Sequence, residues 1–175
     1  MDSIKFGKSI YIYYGSELGN TKNIATTLYN KIKNILSLNK EYKVILSSLD
    51  DFIPINDNMI VFILISTTGD GEFPKNSLKF YKFLRKTKQL TLDKVNISIV
   101  GFGDSNYRSF CYPSKYIYRK FKKYKCNNIF DVKYIDMVDG DISIKNMIKE
   151  RCMFIKKLIH STKQSWLSKI LGFNT

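Results

Sequence analysis

The sequence predicts an α/β fold in which helices cover both faces of a five-stranded parallel sheet. Short β-rich segments alternate with segments of helical period along the 175-residue chain, which is typical of repeated strand–helix units. The segment 59–65 is apolar without alternation, as expected for a strand that is covered on both faces. No internal repeat or linker interrupts this pattern, so one domain is expected.

The elements can be placed in order along the chain. Strands are predicted at 9–14, 42–47, 59–65, 95–100 and 129–135. Helices are predicted at 21–38, 76–88, 113–124 and 142–160. We expect residues 1–160 to form the domain and residues 161–175 to form a C-terminal tail that can be helical. The tail either packs on its own domain or docks on a partner or a membrane surface.

Composition narrows the class of protein. The net charge is +14, but basic residues occur along the whole chain, so we expect no nucleic-acid site. Three dispersed cysteines and one histidine do not supply a usual zinc site, and reduced thiols point to a cytoplasmic location. No apolar run approaches the roughly 18 residues of a membrane span, so membrane association is not expected.

Three loops after predicted strands are rich in glycine and hydroxyl residues, at 15–21, 66–76 and 101–111. In open α/β sheets, ligands bind at the carboxyl ends of the strands where the strand order reverses. The loops that follow the first, third and fourth strands would share that edge. Together they are the candidate functional site.

The first loop runs directly into a helix and predicts an anion site. Ser16, Asn20 and Thr21 supply donors, and the helix N-terminus supplies its dipole. The Walker pattern and the GxGxxG signature are both absent, which argues against a nucleoside triphosphatase and a dinucleotide fold. Taken alone, this loop is also compatible with a plain strand-to-helix turn capped by Asn or Thr.

The second and third loops favour a flat ligand. Gly69 and Gly71 flank Asp70, and glycine permits positive φ and a close approach of the backbone. Tyr107 in the third loop can present its ring to a planar heterocycle. Considered by itself, Tyr107 is better explained as an ordinary surface tyrosine, one of twelve tyrosines in the chain.

Together the three loops resemble the FMN-binding domain of the diflavin reductases, a family that includes NADPH–cytochrome reductases, sulfite reductase flavoprotein and the reductase of iron–sulfur assembly. The resemblance covers residues 9–160. It implies a flavodoxin-like, doubly wound sheet with strand order 2-1-3-4-5. The motifs that carry it are Ser16-x-x-Gly19-Asn20-Thr21, Ser66-Thr67-Thr68-Gly69-Asp70-Gly71-Glu72 with Pro74 and Asn76, and Gly103-Asp104-Ser105-x-Tyr107-x-x-Phe110-Cys111.

The resemblance implies FMN as a non-covalent cofactor, with its phosphate on the first loop and its ring between residues 67–69 and Tyr107. No catalytic side chain or metal is expected, since the flavin carries the chemistry. The family often has Thr in place of Leu18, so FMN binding is expected to be weaker here. The expected cofactor-binding residues are Ser16, Glu17, Leu18, Gly19, Asn20, Thr21, Thr67, Thr68, Gly69, Gly71, Phe102, Gly103, Asp104, Asn106, Tyr107, Phe110, Cys111 and Asp139.

The implied function is the transfer of single electrons. The expected donor is an FAD/NADPH-dependent reductase, and the expected acceptor is a haem or iron–sulfur protein. The family's FAD- and NADPH-binding half has no counterpart in this sequence, which leaves a stand-alone carrier or one domain of a longer protein. The alternatives are a flavodoxin-like NAD(P)H quinone reductase and a flavin-free phosphate-binding domain of the same fold.

Overall fold

The structure, a computed structural model, describes residues 7–37 and 41–170, and side chains as far as residue 161. The strands are β1 (Ser9–Gly15), β2 (Lys43–Ser48), β3 (Met59–Ser66), β4 (Val95–Gly103), β5 (Asn127–Asn128) and β6 (Lys133–Asp136). The α-helices are α1 (Asn20–Leu36), α2 (Leu78–Lys86), α3 (Tyr112–Lys123) and α4 (Asp141–Ile170).

All strand pairs are parallel, in the order β2-β1-β3-β4-β5, and β6 also pairs with β4. This confirms the predicted order 2-1-3-4-5. Gly15 is in register with Ile65, and Ser66 is in register with Phe102. The carboxyl ends of β1, β3 and β4 therefore lie side by side, at the point where the strand order reverses.

The predicted strand at 129–135 is only partly correct: the structure has β5 at Asn127–Asn128 and β6 at Lys133–Asp136, and residues 129–132 belong to neither. β5 pairs with Asn96 and Ile97, whereas β6 pairs with the last four residues of β4. Between them the chain leaves the sheet. Phe130 packs against α4, where its ring contacts the Phe154 ring edge to face, with 5.5 Å between the ring centres. Packing on the helix takes the place of continuous strand pairing.

Two hydrophobic cores lie on opposite faces of the sheet. One is shared with α1 and α4, and the other with α2 and α3. Alternate side chains of β3 enter the two cores, which explains why this strand is apolar throughout. Ile60, Phe62 and Leu64 face the first core, and Val61, Ile63 and Ile65 face the second.

The last helix is longer than the sequence pattern predicts. α4 continues through Ile170, ten residues past the expected end at 160. The expected tail thus begins as helix, residues 171–175 lie outside the described part, and the boundary at residue 160 stays a prediction. None of the helices in ranges 7–37 and 41–170 combines the length and apolarity needed to cross a bilayer.

A buried arginine joins α4 to the sheet. Arg151 is 1% exposed, donates to the Ser98 hydroxyl of β4 at 3.0 Å and pairs with Glu150 at 3.1 Å. Its guanidinium lies 4.6 Å from the centre of the Phe130 ring. Burial lowers the pKa of Arg151 to about 10, and the charge of Glu150 opposes this shift. The arginine thus links α4 to β4 and to Phe130, in the segment between β5 and β6.

Packing, rather than charge, should account for most of the contribution of Arg151 to stability. Arg151→Ala leaves a cavity and should lower the free energy of unfolding by about 3 kcal/mol. Arg151→Met keeps most of the volume and removes a costly buried charge, so its loss should stay below about 1.5 kcal/mol. Urea denaturation of both variants measures the difference, and equal losses would show that the charge network is the important part.

Candidate functional site

The three predicted loops meet at the carboxyl edge of the sheet and enclose a cleft of about 410 Å³. Its residues come from the ends of β1, β3 and β4, together with one residue after β6. The lining consists of Ser16, Glu17, Leu18, Asn20, Thr21, Ser66, Thr67, Thr68, Gly69, Phe102, Gly103, Asp104 and Met137.

The first loop leaves the N-terminus of α1 uncapped. Gly19 precedes the helix with a φ of 90°, and no side chain caps the first turn. The Ser16 hydroxyl instead accepts a hydrogen bond from the Gly19 N–H at 3.0 Å. The first N–H groups of a helix have no partner within it, so Asn20 and Thr21 bring backbone donors to the cleft. The Asn or Thr cap of the plain-turn alternative is therefore absent.

Hydrogen bonds tie the first loop to the second. The Ser16 N–H donates to Asn76 Oδ1 at 2.9 Å, and the Lys75 N–H donates to the Glu17 carboxylate at 2.8 Å. The Lys75 ammonium lies 3.3 Å from the same carboxylate. The Lys75 N–H is also the main reason why the pKa of Glu17 is below its usual range. Glu17 therefore connects the first loop to the second through a hydrogen bond and an ion pair with Lys75.

The second loop is a tight turn fixed to β4. The Thr68 carbonyl accepts from the N–H groups of Gly71 and Glu72, at 3.1 and 2.7 Å. The Thr67 N–H and hydroxyl both donate to the Phe102 carbonyl, at 2.9 and 3.0 Å. Gly71 has a φ of 106°, a conformation that favours glycine.

The third loop adds a second hollow beside the cleft, of about 340 Å³. Tyr107 and Phe110 line it, and it shares Thr67, Gly69 and Asp104 with the cleft. The Tyr107 side chain is 59% exposed. An exposed aromatic side chain at the rim of a shared hollow is available to cover a planar ligand.

The segment after β6 completes the cleft differently from the expectation. The Met137 N–H donates to the Gly103 carbonyl at 2.8 Å, and Met137 lines the cleft. Asp139, the acidic residue expected there, is exposed and lines none of the described hollows. A hydrogen bond from the Ser105 hydroxyl keeps the pKa of Asp136 below its usual range.

The structure thus brings together most, though not all, of the expected binding residues. Eleven of the eighteen line the cleft, Tyr107 and Phe110 line the second hollow, and Gly71 lines a third hollow beside them. Gly19, Asn106, Cys111 and Asp139 line none of these three. Cys111 is buried where α3 begins, and burial raises the pKa of its thiol to about 12.

Two cleft residues lie outside the expected set, Ser66 and Met137. Ser66 belongs to the second motif, and its hydroxyl donates to the Gly15 carbonyl at 3.3 Å. Its place in that motif is the sequence signal that identifies it as a candidate cleft residue. The sequence does not show that Met137, and not one of its acidic neighbours, lines the cleft. Its position depends on one backbone hydrogen bond to β4.

The donor set fits FMN. The cleft lining has hydroxyl, amide and backbone donors at a helix N-terminus and no lysine or arginine, which suits a phosphate held by neutral donors. The adjoining hollow has aromatic walls and little side-chain bulk at Gly69. A Cβ on Gly103 would lie 3.1 Å from the Cys111 nitrogen, so a larger residue there would displace the third loop.

A doubly wound parallel sheet with an anion cradle at its switch point defines a mononucleotide-binding α/β domain. Comparison with known families makes the assignment specific. The flavodoxin family model matches residues 12–154, and the chain belongs to the flavodoxin family.

Several characterised proteins are similar to this chain. It is 29% identical to the sulfite reductase [NADPH] flavoprotein alpha-component of Buchnera aphidicola subsp. Acyrthosiphon pisum, over 97% of the chain and 27% of that protein. It is 34% identical to NADPH-dependent diflavin oxidoreductase 1 of Debaryomyces hansenii, over 74% of the chain and 21% of that protein. The chain therefore spans about a quarter of the length of these relatives.

Solved structures support the same fold. A flavodoxin of Streptococcus pneumoniae TIGR4 superposes with a TM-score of 0.65 at 22% identity, covering 87% of this chain and 99% of that one. The predicted resemblance to the FMN domain of diflavin reductases is confirmed, and so is FMN as the cofactor of this class. The chain is an FMN-binding, electron-transfer domain.

Two glycines with positive φ offer a matched test of how tightly the loops pack. A Cβ at Gly71 would lie 2.6 Å from the Ser109 Cβ in the third loop, whereas a Cβ at Gly19 would meet nothing within 4 Å. Gly19→Ala should lower the free energy of unfolding by about 1 kcal/mol, from backbone strain alone. Gly71→Ala adds steric overlap and should cost about 3 kcal/mol. Thermal denaturation of both apo variants checks this, and equal costs would mean that the second and third loops do not pack tightly.

Proposed function

We propose that this domain accepts electrons from an FAD/NADPH-dependent reductase and passes them singly to a haem or iron–sulfur protein. The convergence of three loops in one cleft at the switch point of the sheet is the observation that carries the proposal. The names of the relatives, sulfite reductase [NADPH] flavoprotein and NADPH-dependent diflavin oxidoreductase, support a reductase as the donor. Free thiols at all three cysteines support a cytoplasmic location.

Each loop has one task in this proposal. Ser16, Asn20 and Thr21 bind the phosphate through hydroxyl, amide and backbone donors at the start of α1. The 67–69 segment and Tyr107 hold the ring from two sides. When bound, FMN supplies the one-electron chemistry, and the protein supplies position, polarity and access.

Phe102, Gly103 and Asp104 border the ring at the end of β4, and Phe110 packs behind them. Leu18 is 89% exposed at the mouth of the cleft, where the family often has a threonine. Its backbone keeps the donor, and only the hydroxyl contact is lost. The protein should therefore bind FMN more weakly than its threonine-bearing relatives.

The flavin end of the domain is acidic although the protein is basic. Residues 15–21, 67–76, 101–111 and 136–143 carry seven acidic residues against two basic ones. This sign of charge steers the cleft towards a basic patch on a redox partner. Docking should be weak and short-lived, as is usual for small redox interfaces.

The identity of the bound flavin tests the central claim. Protein purified with flavin, or reconstituted with it, should release FMN on acid treatment, because the phosphate cradle opens directly onto a helix N-terminus. Chromatography of the released flavin distinguishes FMN from FAD. Release of FAD would reject the proposed site, and failure to bind any flavin after reconstitution would favour the flavin-free phosphate-binding alternative.

Tyr107 should act as a stacking partner of the ring. Tyr107→Ala should weaken FMN binding by roughly five- to tenfold, since an aromatic pair contributes about 1 kcal/mol beyond its buried area. Tyr107→Phe keeps the ring and serves as the control, with an affinity close to that of the parent protein. Titration of each apo variant measures this. An unchanged affinity for the alanine variant would exclude Tyr107 from the flavin site.

Reduction should require a separate flavin reductase. The FMN-loaded domain should stay oxidised with NADPH alone, since the sequence lacks a dinucleotide signature, and should become reduced when the reductase is added. The rate should fall as the salt concentration rises through roughly 0.1 M, where the Debye length is about 10 Å. Rapid reduction by NADPH alone would favour the quinone reductase alternative. A rate that is independent of salt would contradict electrostatic docking.

A further inference from the structure

Almost all of the net positive charge lies on one side of the sheet. Residues 73–92 and 105–130, which contain α2, α3 and their flanking loops, carry 13 of the 29 basic residues and none of the 15 acidic ones. Two of the 13, Lys75 and Arg108, also belong to the loops of the flavin end. The other 129 residues hold 16 basic and 15 acidic residues and are nearly neutral. Because α2 and α3 cover the same core, these segments form one surface, called here the α2–α3 face.

Few carboxylates compensate this charge. Within residues 7–37 and 41–161, Lys75 is the one basic residue of the α2–α3 face that forms an ion pair, with Glu17 at the flavin end. Asp50 accepts a hydrogen bond from the Phe80 N–H in the first turn of α2, at 3.0 Å. Asp51 lies next to it and accepts hydrogen bonds from the hydroxyls of Ser47 and Ser48, and the charge of Lys79 on α2 also contributes to lowering the pKa of Asp51. The remainder of the face is open to an anionic partner.

Part of this charge is held in place by tyrosine rings. The Arg119 guanidinium lies 6.0 Å from the ring centres of both Tyr112 and Tyr116. On α2, the Arg85 guanidinium lies 5.7 Å from the ring centre of Tyr81. The ring centres of Tyr81 on α2 and Tyr116 on α3 are 5.4 Å apart. Side chains that are ordered before binding lose less entropy when a partner arrives.

Arg119 and its two tyrosines, Tyr112 and Tyr116, belong to the lining of a hollow of about 620 Å³ on the surface of α3. Arg119 and three lysines supply its charge, and two tyrosines supply its apolar wall. A hollow of this kind can receive carboxylate side chains together with the chain that carries them. Its lining is Tyr112, Tyr116, Arg119, Lys120, Lys122 and Lys123.

We propose that the α2–α3 face is a docking surface for an acidic protein segment. Charge complementarity specifies an anionic occupant, and two observations favour a protein. A single-stranded nucleic acid stacks on open aromatic faces, but Tyr81 and Tyr116 already pack against each other and against arginines. An anionic membrane favours a face with apolar side chains to insert. Apart from Tyr107, which is assigned to the flavin site, Leu78 and Tyr112 are the exposed large apolar side chains among the described residues of this face, at 41% and 39%, and two such side chains offer little to insert.

The docked segment would lie beside the flavin cleft. Tyr112 also lines a hollow of about 530 Å³ that contains Asp70 and Glu72 and shares Glu17 and Thr68 with the flavin cleft. The carboxylates of Asp70 and Glu72 would repel an acidic chain, so the segment stays on the basic side of Tyr112. A basic redox partner at the flavin end and an acidic segment on the α2–α3 face can then bind at the same time.

The test uses the full chain and a fluorescein-labelled oligoglutamate peptide, with binding followed by anisotropy at physiological ionic strength. The triple variant Arg119→Gln, Lys122→Gln, Lys123→Gln should lose about tenfold in affinity. The control Lys31→Gln, Lys33→Gln, Lys157→Gln removes the same charge from exposed positions on α1 and α4 and should lose less than about twofold. Equal losses would overturn the proposal, because net charge alone would then explain binding.

Two further probes decide the class of partner. An oligothymidylate of equal charge and phosphatidylcholine vesicles that contain phosphatidylserine should bind more weakly than the peptide and should show no difference between the two triple variants. Tighter binding of either probe that is lost only in the α3 variant would overturn the assignment to a protein. Circular dichroism and FMN affinity of both variants should match those of the parent, which keeps a folding defect distinguishable from a loss of docking.

Discussion

Parallel pairing of β1, β3 and β4 is the constraint on which the site depends. Because Gly15 is opposite Ile65 and Ser66 is opposite Phe102, the three loops leave the sheet at one edge. The strand order reverses between β1 and β3, so α1 and α2 pack on opposite faces and leave a crevice between their loops. A shift of one residue in either pairing would turn the loop residues away from one another.

The loops are held together by hydrogen bonds between them. The Ser16 N–H bonds to Asn76, the Lys75 N–H bonds to Glu17, and the Phe102 carbonyl accepts both donors of Thr67. A bond of this type contributes about 1 kcal/mol. Because several such hydrogen bonds already order the loops, less conformational entropy is lost when a ligand binds. Since the flavin carries the redox chemistry, this preorganisation is the main task of the protein.

The parts predicted correctly from sequence are those in which local pattern and tertiary environment agree. The segment 59–65 is apolar because both faces are buried, so pattern and structure coincide in β3. The predicted strand at 129–135 is strand only from Lys133, because Phe130 packs on Phe154 of α4, 24 residues away along the chain. The same limit applies at the cleft. Met137 lies there in place of the expected Asp139 because a hydrogen bond to β4 fixes the register, and composition carries no information about that bond.

The charge of the chain shows why counting basic residues is not sufficient. Lysines occur along the whole sequence, and from this alone the positive charge has no particular location. The acidic residues are distributed unevenly along the chain. They are concentrated in the loops of the cleft and are absent from residues 73–92 and 105–130. Surface potential depends on the sum of both signs, so the domain is polarised from an acidic flavin end to a basic α2–α3 face. Such a dipole orients the molecule before contact, and each partner meets the surface of opposite sign first.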